Sequence, residues 1–237
     1  MGKVYLIGAG PGAPDLITVR GARLLAMADV VLHDALVEPD MLHLAPAHAK
    51  RIAVGKRCGQ LSTTQACIDA QLVAAAREHD VVVRLKGGDP MLFGRADEEM
   101  RALETAGIEY EVVPGITAAL ASAATLHRPL TLRGVARSVA LATFSHATEF
   151  AQAGYHVKAD SLVLYMGRDS AHEIAHRLIE TGRDGATPVA IVEACSTPRE
   201  RSLTLTLAEL AAGDARKWLD PAQPCVLMIG EAFGLRR

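Results

Sequence analysis

The sequence predicts an α/β protein made of two α/β domains with a ligand-binding cleft between them. In the first half of the chain, short apolar runs alternate with stretches of helical periodicity, as in parallel βαβ units. Glycine-rich segments follow several of these runs, at the sheet edge where open α/β folds bind ligands. In the second half, the segment SLTLTL alternates strictly and few helices intervene, which favours antiparallel strands. We place the two domains at residues 1–116 and 117–237.

Composition excludes several classes of protein. The chain has 237 residues with a formal net charge of −2, so a broad nucleic-acid-binding face is not expected. No run approaches the ~18 apolar residues of a membrane span, and the N-terminus lacks a secretory signal pattern. The four cysteines are scattered without a C-x-x-C pair, which disfavours a disulfide framework or a cysteine zinc site. These features predict a folded, cytoplasmic protein.

The first domain is expected to contain five strands, each a short apolar run: Val4–Ile7, Val30–Leu32, Arg51–Val54, Val81–Val83 and Glu109–Val113. Thr18 is a candidate cap for the first helix, and Ser62 with Gln65 has the spacing of a capping box for the next. Gly107 is a plausible C′ glycine for a helix that starts at the acidic run of residues 97–99.

The second domain is expected to begin with an alanine-rich helix that ends near Leu126. The segment His127–Ser138 then resembles a linker and carries Arg128, Arg133 and Arg137. Five strands should follow, at Val139–Thr143, Leu162–Tyr165, Val189–Val192, Leu203–Thr206 and Val226–Ile229.

The segment Arg84–Arg95, RLKGGDPMLFGR, is the strongest functional feature. It follows a buried apolar strand that should break at Gly87-Gly88-Asp89-Pro90, where two glycines permit close approach of a ligand to the backbone. An ordinary strand-to-helix turn with nothing bound is the alternative, but such a turn rarely needs two glycines.

Two other motifs point to different chemistry. The pattern Gly8-x-Gly10-x-x-Ala13 satisfies the dinucleotide-binding fingerprint, and Asp34 ends the second strand, where a ribose-binding acid would lie. In that motif a helix begins inside the glycine run, whereas here the first helix is expected to start only near Thr18. The segment His172–His176 matches the H-E-x-x-H zinc motif. Its histidines fall on the polar side of an amphipathic helix, so we interpret the match as coincidence and predict no metal site.

Asp34 and Lys56 each follow a short strand of the same predicted sheet. Both should therefore project at the edge that carries the glycine loops, which favours a functional role. A turn-capping carboxylate and a solvated cation are the alternatives. The linker arginines are either surface charge or, if they line the cleft, partners for a carboxylate-rich ligand.

Several segments together resemble the tetrapyrrole methylases that use S-adenosylmethionine (SAM), and among them the uroporphyrinogen-III C-methyltransferases. The resemblance covers nearly the whole chain and is carried by VYLIGAGPGAPDLIT, VVLHDALV, IAVGKRCG, VVRLKGGDPMLFGRADEE, VVPGITAALASAA, LVLYMG, PVAIVEACSTPRER and CVLMIGEAF. Ala194-Cys195, Leu132 and Ser145 depart from the family pattern. The resemblance implies two α/β domains with SAM between them, and a homodimer.

The same resemblance implies roles for individual residues. Asp34 would be the proton acceptor and Lys56 the proton donor of the reaction. Independently of the resemblance, Arg133 and Arg137 are our candidate substrate contacts among the linker arginines, if these line the cleft. SAM contacts would fall on Pro11, Gly87, Gly88, Asp89, Leu92, Thr117, Ala118 and Met166.

The implied reaction is methylation of uroporphyrinogen III at C2 and C7, with SAM as methyl donor, giving precorrin-2 and S-adenosylhomocysteine (SAH). The product could serve sirohaem, cobalamin or haem d1 synthesis. Two alternatives stay open: a family transferase that acts on a later corrin precursor or on RNA, the latter disfavoured by the balanced charge, and a SAM- or tetrapyrrole-binding module without activity.

Overall fold

The computed structural model describes residues 2–54, 64–144 and 158–234. The chain divides into two compact units, Met1–Ala118 and Ala119–Arg237, and each is built around one five-stranded sheet with helices. The predicted α/β class with two such units is confirmed. The cleft between them stays a prediction.

The first unit contains a wholly parallel sheet in the order β3-β2-β4-β1-β5. Its strands are β1 (Lys3–Gly8), β2 (Val30–His33), β3 (Lys50–Ala53), β4 (Val81–Lys86) and β5 (Tyr110–Val113). Its helices are α1 (Val19–Leu25), α2 (Gln65–Glu78) and α3 (Ala96–Thr105), with 3-10 turns at Pro14–Leu16 and Pro39–Leu44. Apolar clusters cover both faces of the sheet, which explains why its strands are near-continuous apolar runs.

The strand register brings the carboxyl ends of four strands to one edge. Gly8 of β1 lies opposite Lys86 of β4, and His33 of β2 lies opposite Leu85. Val113, at the end of β5, pairs with Ile7. The loops that leave these strands therefore start within one residue of each other along the sheet.

Helix ends in the first unit confirm two sequence predictions and correct a third. The Thr18 hydroxyl accepts a hydrogen bond from the Gly21 N–H at 3.1 Å, as expected of an N-cap. Gly107 has φ +67° and follows Ala106, the C-cap of α3, as expected of a C′ glycine. The proposed capping box at Ser62 and Gln65 is wrong, because Gln65 is the first residue of α2 and Thr64 is its N-cap.

The second unit contains a mixed sheet in the order β6-β7-β10-β8-β9, in which only the β6–β7 pair is parallel. All five predicted strands are present, as β6 (Val139–Thr143), β7 (Ser161–Tyr165), β8 (Pro188–Glu193), β9 (Arg201–Thr206) and β10 (Cys225–Ile229). Its helices are α4 (Ala118–Thr125), which starts at the division between the units, α5 (Ala171–Glu180) and α6 (Leu207–Ala212), with a 3-10 turn at Glu231–Phe233.

Helix α5 carries the H-E-x-x-H match. Ala171, Ile174, Ala175 and Leu178 form its buried face, whereas Glu173 and His176 are exposed. His172 is half-buried and lines a cavity of about 430 Å³. Among the described residues, no three His, Cys, Asp or Glu side chains are grouped so that they could hold a metal ion.

Within the described part of the chain, no helix combines the length and the apolar character needed to cross a membrane.

Candidate functional site

Three glycine loops cross at the carboxyl edge of the first sheet. Gly10 and Gly88 exchange two backbone hydrogen bonds, of 3.1 and 2.8 Å, which join the loop after β1 to the loop after β4. A Cβ added to Gly115, in the loop after β5, would lie 2.2 Å from the Gly88 carbonyl oxygen and 2.7 Å from Gly8 Cα. These contacts explain Gly8 and Gly115, because no side chain fits between the backbones at those two positions.

This arrangement also argues against the dinucleotide interpretation of Gly8–Ala13. In that motif the helix opens inside the glycine run and its N-terminus binds pyrophosphate. Here Gly10 pairs with the neighbouring loop, and α1 begins only at Val19.

Asp89 links the loop after β4 to the loop after β5. One of its carboxylate oxygens accepts from the Met91 N–H at 2.8 Å, and the other accepts from the Gly115 N–H at 2.9 Å. Both oxygens thus stabilise loop conformation, a role that does not follow from the sequence.

Gly87 and Gly88 present bare backbone on their open side. A Cβ on Gly87 would find its nearest neighbour, the Cβ of Leu36, at 3.4 Å, and one on Gly88 would approach nothing closer than Thr117 Cα at 4.0 Å. Gly87 also lacks a positive φ. The protein itself therefore does not require glycine at 87, whereas a ligand lying against the backbone would. The assignment of SAM to this side of the loop stays a prediction.

Pro11, Leu92 and Thr117 belong to the same three loops. Pro11 follows Gly10 directly, Leu92 donates from its backbone to the Asp89 carbonyl at 3.3 Å, and Thr117 lies beside Gly88. The structure thus brings together the predicted SAM residues of the first unit.

Asp34 lies at the same edge, immediately after β2. Its Oδ1 accepts from Arg84 Nη2 at 2.5 Å, and its Oδ2 lies 3.4 Å from the Gly87 N–H. The side chain is 29% exposed, so it is accessible to a ligand while fixed on one side.

Behind Asp34 is a cluster of buried charges that we call the β4 charge cluster: Arg84, Lys86 and Glu99. Glu99 accepts from Arg84 Nε at 2.9 Å and from Lys86 Nζ at 2.9 Å on each oxygen. Burial alone would lower the pKa of Arg84, but the carboxylates of Asp34 and Glu99 outweigh it and hold that pKa above its usual value. For Lys86 the balance is reversed, because burial and repulsion from Arg84 lower its pKa despite Glu99.

Sequence reasoning missed this cluster, although a signal was present. Arg84 and Lys86 are two positions apart on a strand whose other residues are apolar, so they share one covered face and need an acidic partner. The acidic start of α3 offered three candidates for that partner. Only Glu99 is buried, whereas Asp97 and Glu98 form exposed ion pairs with Arg101 and Arg95.

The other two predicted SAM residues are Ala118, the last residue of the first unit, and Met166, in the second unit. The backbone N–H of Ala119 donates to the Tyr165 hydroxyl at 3.0 Å, which places the start of α4 at Ala118 beside the end of β7. Met166 follows Tyr165, is 56% exposed and has a positive φ of 56°.

The described part of the second unit also contains the two predicted substrate residues. Arg133 and Arg137 are exposed in the segment between α4 and β6. Lys56 lies outside the described residues.

Known proteins resemble this chain over nearly its full length. The family model of the Tetrapyrrole (Corrin/Porphyrin) Methylases matches residues 3–211. The uroporphyrinogen-III C-methyltransferase of Synechococcus elongatus is 40% identical over 237 residues, covering 100% of this chain and 96% of that protein. The siroheme synthase of Azotobacter vinelandii is 45% identical and covers 100% of this chain, which spans 51% of that longer protein. The crystal structure of uroporphyrin-III C-methyl transferase from Thermus thermophilus complexed with S-adenosylhomocysteine superimposes with a TM-score of 0.82 at 40% identity, covering 98% of this chain and 93% of that one.

Proposed function

The chain belongs to the tetrapyrrole (corrin/porphyrin) methylases, and we propose that it methylates uroporphyrinogen III at C2 and C7, with SAM as donor, to give precorrin-2 and SAH. The observation that carries this proposal is the Gly87-Gly88 loop, whose bare backbone and open space sit beside the carboxylate of Asp34. Relatives that match over the full chain are named for this reaction or for siroheme synthesis.

The loops of the first unit would hold the donor by its polar groups. Gly87, Gly88, Pro11, Leu92 and Thr117 surround the open side of the glycine crossing, and Asp89 fixes two of the loops to each other. Ala118 and Met166 are proposed to complete the donor site. Rigid placement matters because alignment of the reacting atoms can contribute ~7–11 kcal/mol to catalysis.

SAM supplies an electrophilic methyl group on a sulfonium. An electron-rich pyrrole carbon of the substrate forms the new C–CH₃ bond as the S–CH₃ bond breaks, which leaves SAH and a cationic ring. That ring must lose a proton, and we assign its acceptance to the carboxylate of Asp34. Lys56 is proposed as the proton donor.

Arg133 is proposed to bind substrate carboxylates, together with Arg137. We expect Arg133→Ala to raise the KM for uroporphyrinogen III roughly 5-fold, equivalent to the ~1 kcal/mol of one exposed ion pair, with kcat nearly unchanged. Steady-state kinetics under anaerobic conditions measures both constants. Arg177→Ala, which removes an exposed arginine from α5, is the matched control and should leave KM unchanged. An unaltered KM in Arg133→Ala would show that this arginine is only surface charge.

Gly87→Ala tests whether the open side of the glycine loop is a donor site. The new methyl group meets no backbone atom and needs no positive φ, so the melting temperature should be unchanged or slightly raised. It should nevertheless raise the Kd for SAH about 10-fold or more, because a ligand on the backbone would be displaced. Isothermal titration calorimetry and thermal unfolding give the two readouts.

The control for that variant is Gly234→Ala, in the second unit, where the nearest atom to an added Cβ is the Pro188 side chain at 3.2 Å. It should leave SAH binding unchanged. Equal SAH affinity in Gly87→Ala and the wild type would place the donor elsewhere.

A homodimer and a cytoplasmic location are further predictions of the resemblance. The dimer is testable by light scattering at micromolar concentrations, where a mass near that of one 25.1 kDa chain would count against it.

The reaction itself is tested by anaerobic incubation of the protein with SAM and uroporphyrinogen III, followed by mass spectrometry. A product that carries two added methyl groups is the expected result. If uroporphyrinogen III gives no methylated product but a later corrin precursor does, the chain is a different transferase of the family. Binding of SAH and tetrapyrrole without any methylated product would identify a binding module.

A further inference from the structure

Two cations are buried on one face of β4, in a sheet whose covered faces are otherwise apolar. Arg84 and Lys86 are each 2% exposed, and Glu99 is fully buried between them. Such a cluster is no more stable than well-packed apolar residues of similar volume, because the charges must be stripped of water. The β4 charge cluster therefore suggests a role beyond holding the core together.

Arg84 and Lys86 have different hydrogen-bond partners. The ammonium group of Lys86 donates to both carboxylate oxygens of Glu99. Arg84 binds Glu99 through Nε and continues to Asp34 through Nη2, while its Nη1 donates to the Leu85 carbonyl at 3.2 Å. A guanidinium is planar and its donors are fixed relative to each other, so anchoring one side orients the other.

We propose that Arg84 is a positioning residue, anchored by Glu99, that fixes the carboxylate of Asp34 in the orientation needed to accept the substrate proton. This inference rests on the proposed function, since it assigns Arg84 a task in the same reaction. Oδ1 of Asp34 is held by Arg84, and Oδ2 faces the Gly87 N–H at the donor loop. The proton acceptor is thereby held beside the loop that would carry the methyl group.

The charges around Asp34 are consistent with this task. Among the described residues, the titratable groups that face the pair are Glu99 from α3, Lys86 from β4 and the ring of His33, whose Nδ1 lies 3.1 Å from the Asp34 carbonyl oxygen. Arg84 remains charged throughout any practical assay, because its carboxylate partners hold its pKa above the usual value against the effect of burial.

The test compares two variants. Arg84→Gln removes the positive charge, whereas Arg84→Lys keeps the charge but removes the planar guanidinium that binds Glu99 and Asp34 at once. Lys86→Gln is the matched control, since Lys86 is equally buried on the same strand and shares Glu99 but makes no hydrogen bond to Asp34. Each protein is assayed for kcat, for KM, for SAH affinity and for its melting temperature.

Arg84→Gln and Arg84→Lys should each lower kcat about 10–100-fold, because the orientation of the Asp34 carboxylate is lost. KM and SAH affinity should change little in both. Lys86→Gln should keep a kcat near that of the wild type.

An equal loss of kcat in Lys86→Gln, or Arg84 variants that unfold more easily but keep the wild-type kcat, would show that Arg84 is only structural. If Arg84→Gln does not fold, the kcat of Arg84→Lys decides. The wild type separates this inference from the proposed function: an inactive wild type refutes the function, whereas an active wild type with an unchanged kcat in the Arg84 variants refutes only the role of Arg84.

Discussion

Asp34→Asn is expected to lower kcat by ~10²–10⁴-fold, the range typical of a positioned proton acceptor, while SAH binds with unchanged affinity. Asparagine keeps the shape of the side chain but cannot accept the proton. Arg84 would still donate to Glu99 and to the Leu85 carbonyl, so the fold should persist. Dimethylated product formation is measured at saturating substrate, and SAH affinity by calorimetry.

The control for this variant is Asp40→Asn. Asp40 lies in the next turn after β2 and is 80% exposed, so its loss should leave turnover unchanged. Near-normal kcat in an Asp34→Asn protein that still binds SAH would refute the assignment of the proton acceptor.

Gly115→Ala is expected to lower the melting temperature by roughly 6–12 °C, the equivalent of ~3 kcal/mol of overpacking in a chain of this size. The added Cβ would lie 2.2 Å from the carbonyl oxygen of Gly88 and 2.7 Å from Cα of Gly8. Both are backbone atoms of neighbouring loops, so neither can rotate away as a side chain would. Separation of the loops should also weaken SAH binding.

Thermal unfolding and SAH calorimetry of Gly115→Ala are best compared with Gly87→Ala. The two variants add the same methyl group in adjoining loops, one into a backbone crossing and one into open space. We expect the first to lose stability and the second to lose affinity alone. A wild-type melting temperature for Gly115→Ala would mean that the three loops do not cross as closely as described.

The strands could be predicted from the sequence because both sheets are built from short, dense apolar runs. In the first unit the inner strands β2, β4 and β1 are covered on both faces, so their runs of Val, Ile and Leu are dense and end at a recognisable breaker. The predicted break at Gly87 is confirmed, since β4 ends at Lys86. The error at Ser62 arose because Thr64 can serve as a cap equally well, and local pattern does not choose between two nearby hydroxyls.

The position of Asp34 beside the glycine loops follows from the rule that parallel strands end at a common edge, and the register of β2 on β4 agrees with it. The partner of Asp34 could not be predicted. Which of three consecutive acidic residues in α3 turns toward the sheet depends on how the helix is rotated on it, and Arg95 enters that helix with an unusual φ of +54°. Tertiary packing, not local pattern, therefore decides that Glu99 anchors Arg84.

The strand order of the second sheet has a consequence for synthesis of the chain. β10, residues 225–229, lies in the middle of that sheet and pairs with both β7 and β8. The first sheet is complete once residue 113 has left the ribosome, whereas β7 and β8 of the second sheet each lack a neighbouring strand until residues 225–229 are translated. The first unit can therefore fold during translation, while the second must wait for its centre to arrive.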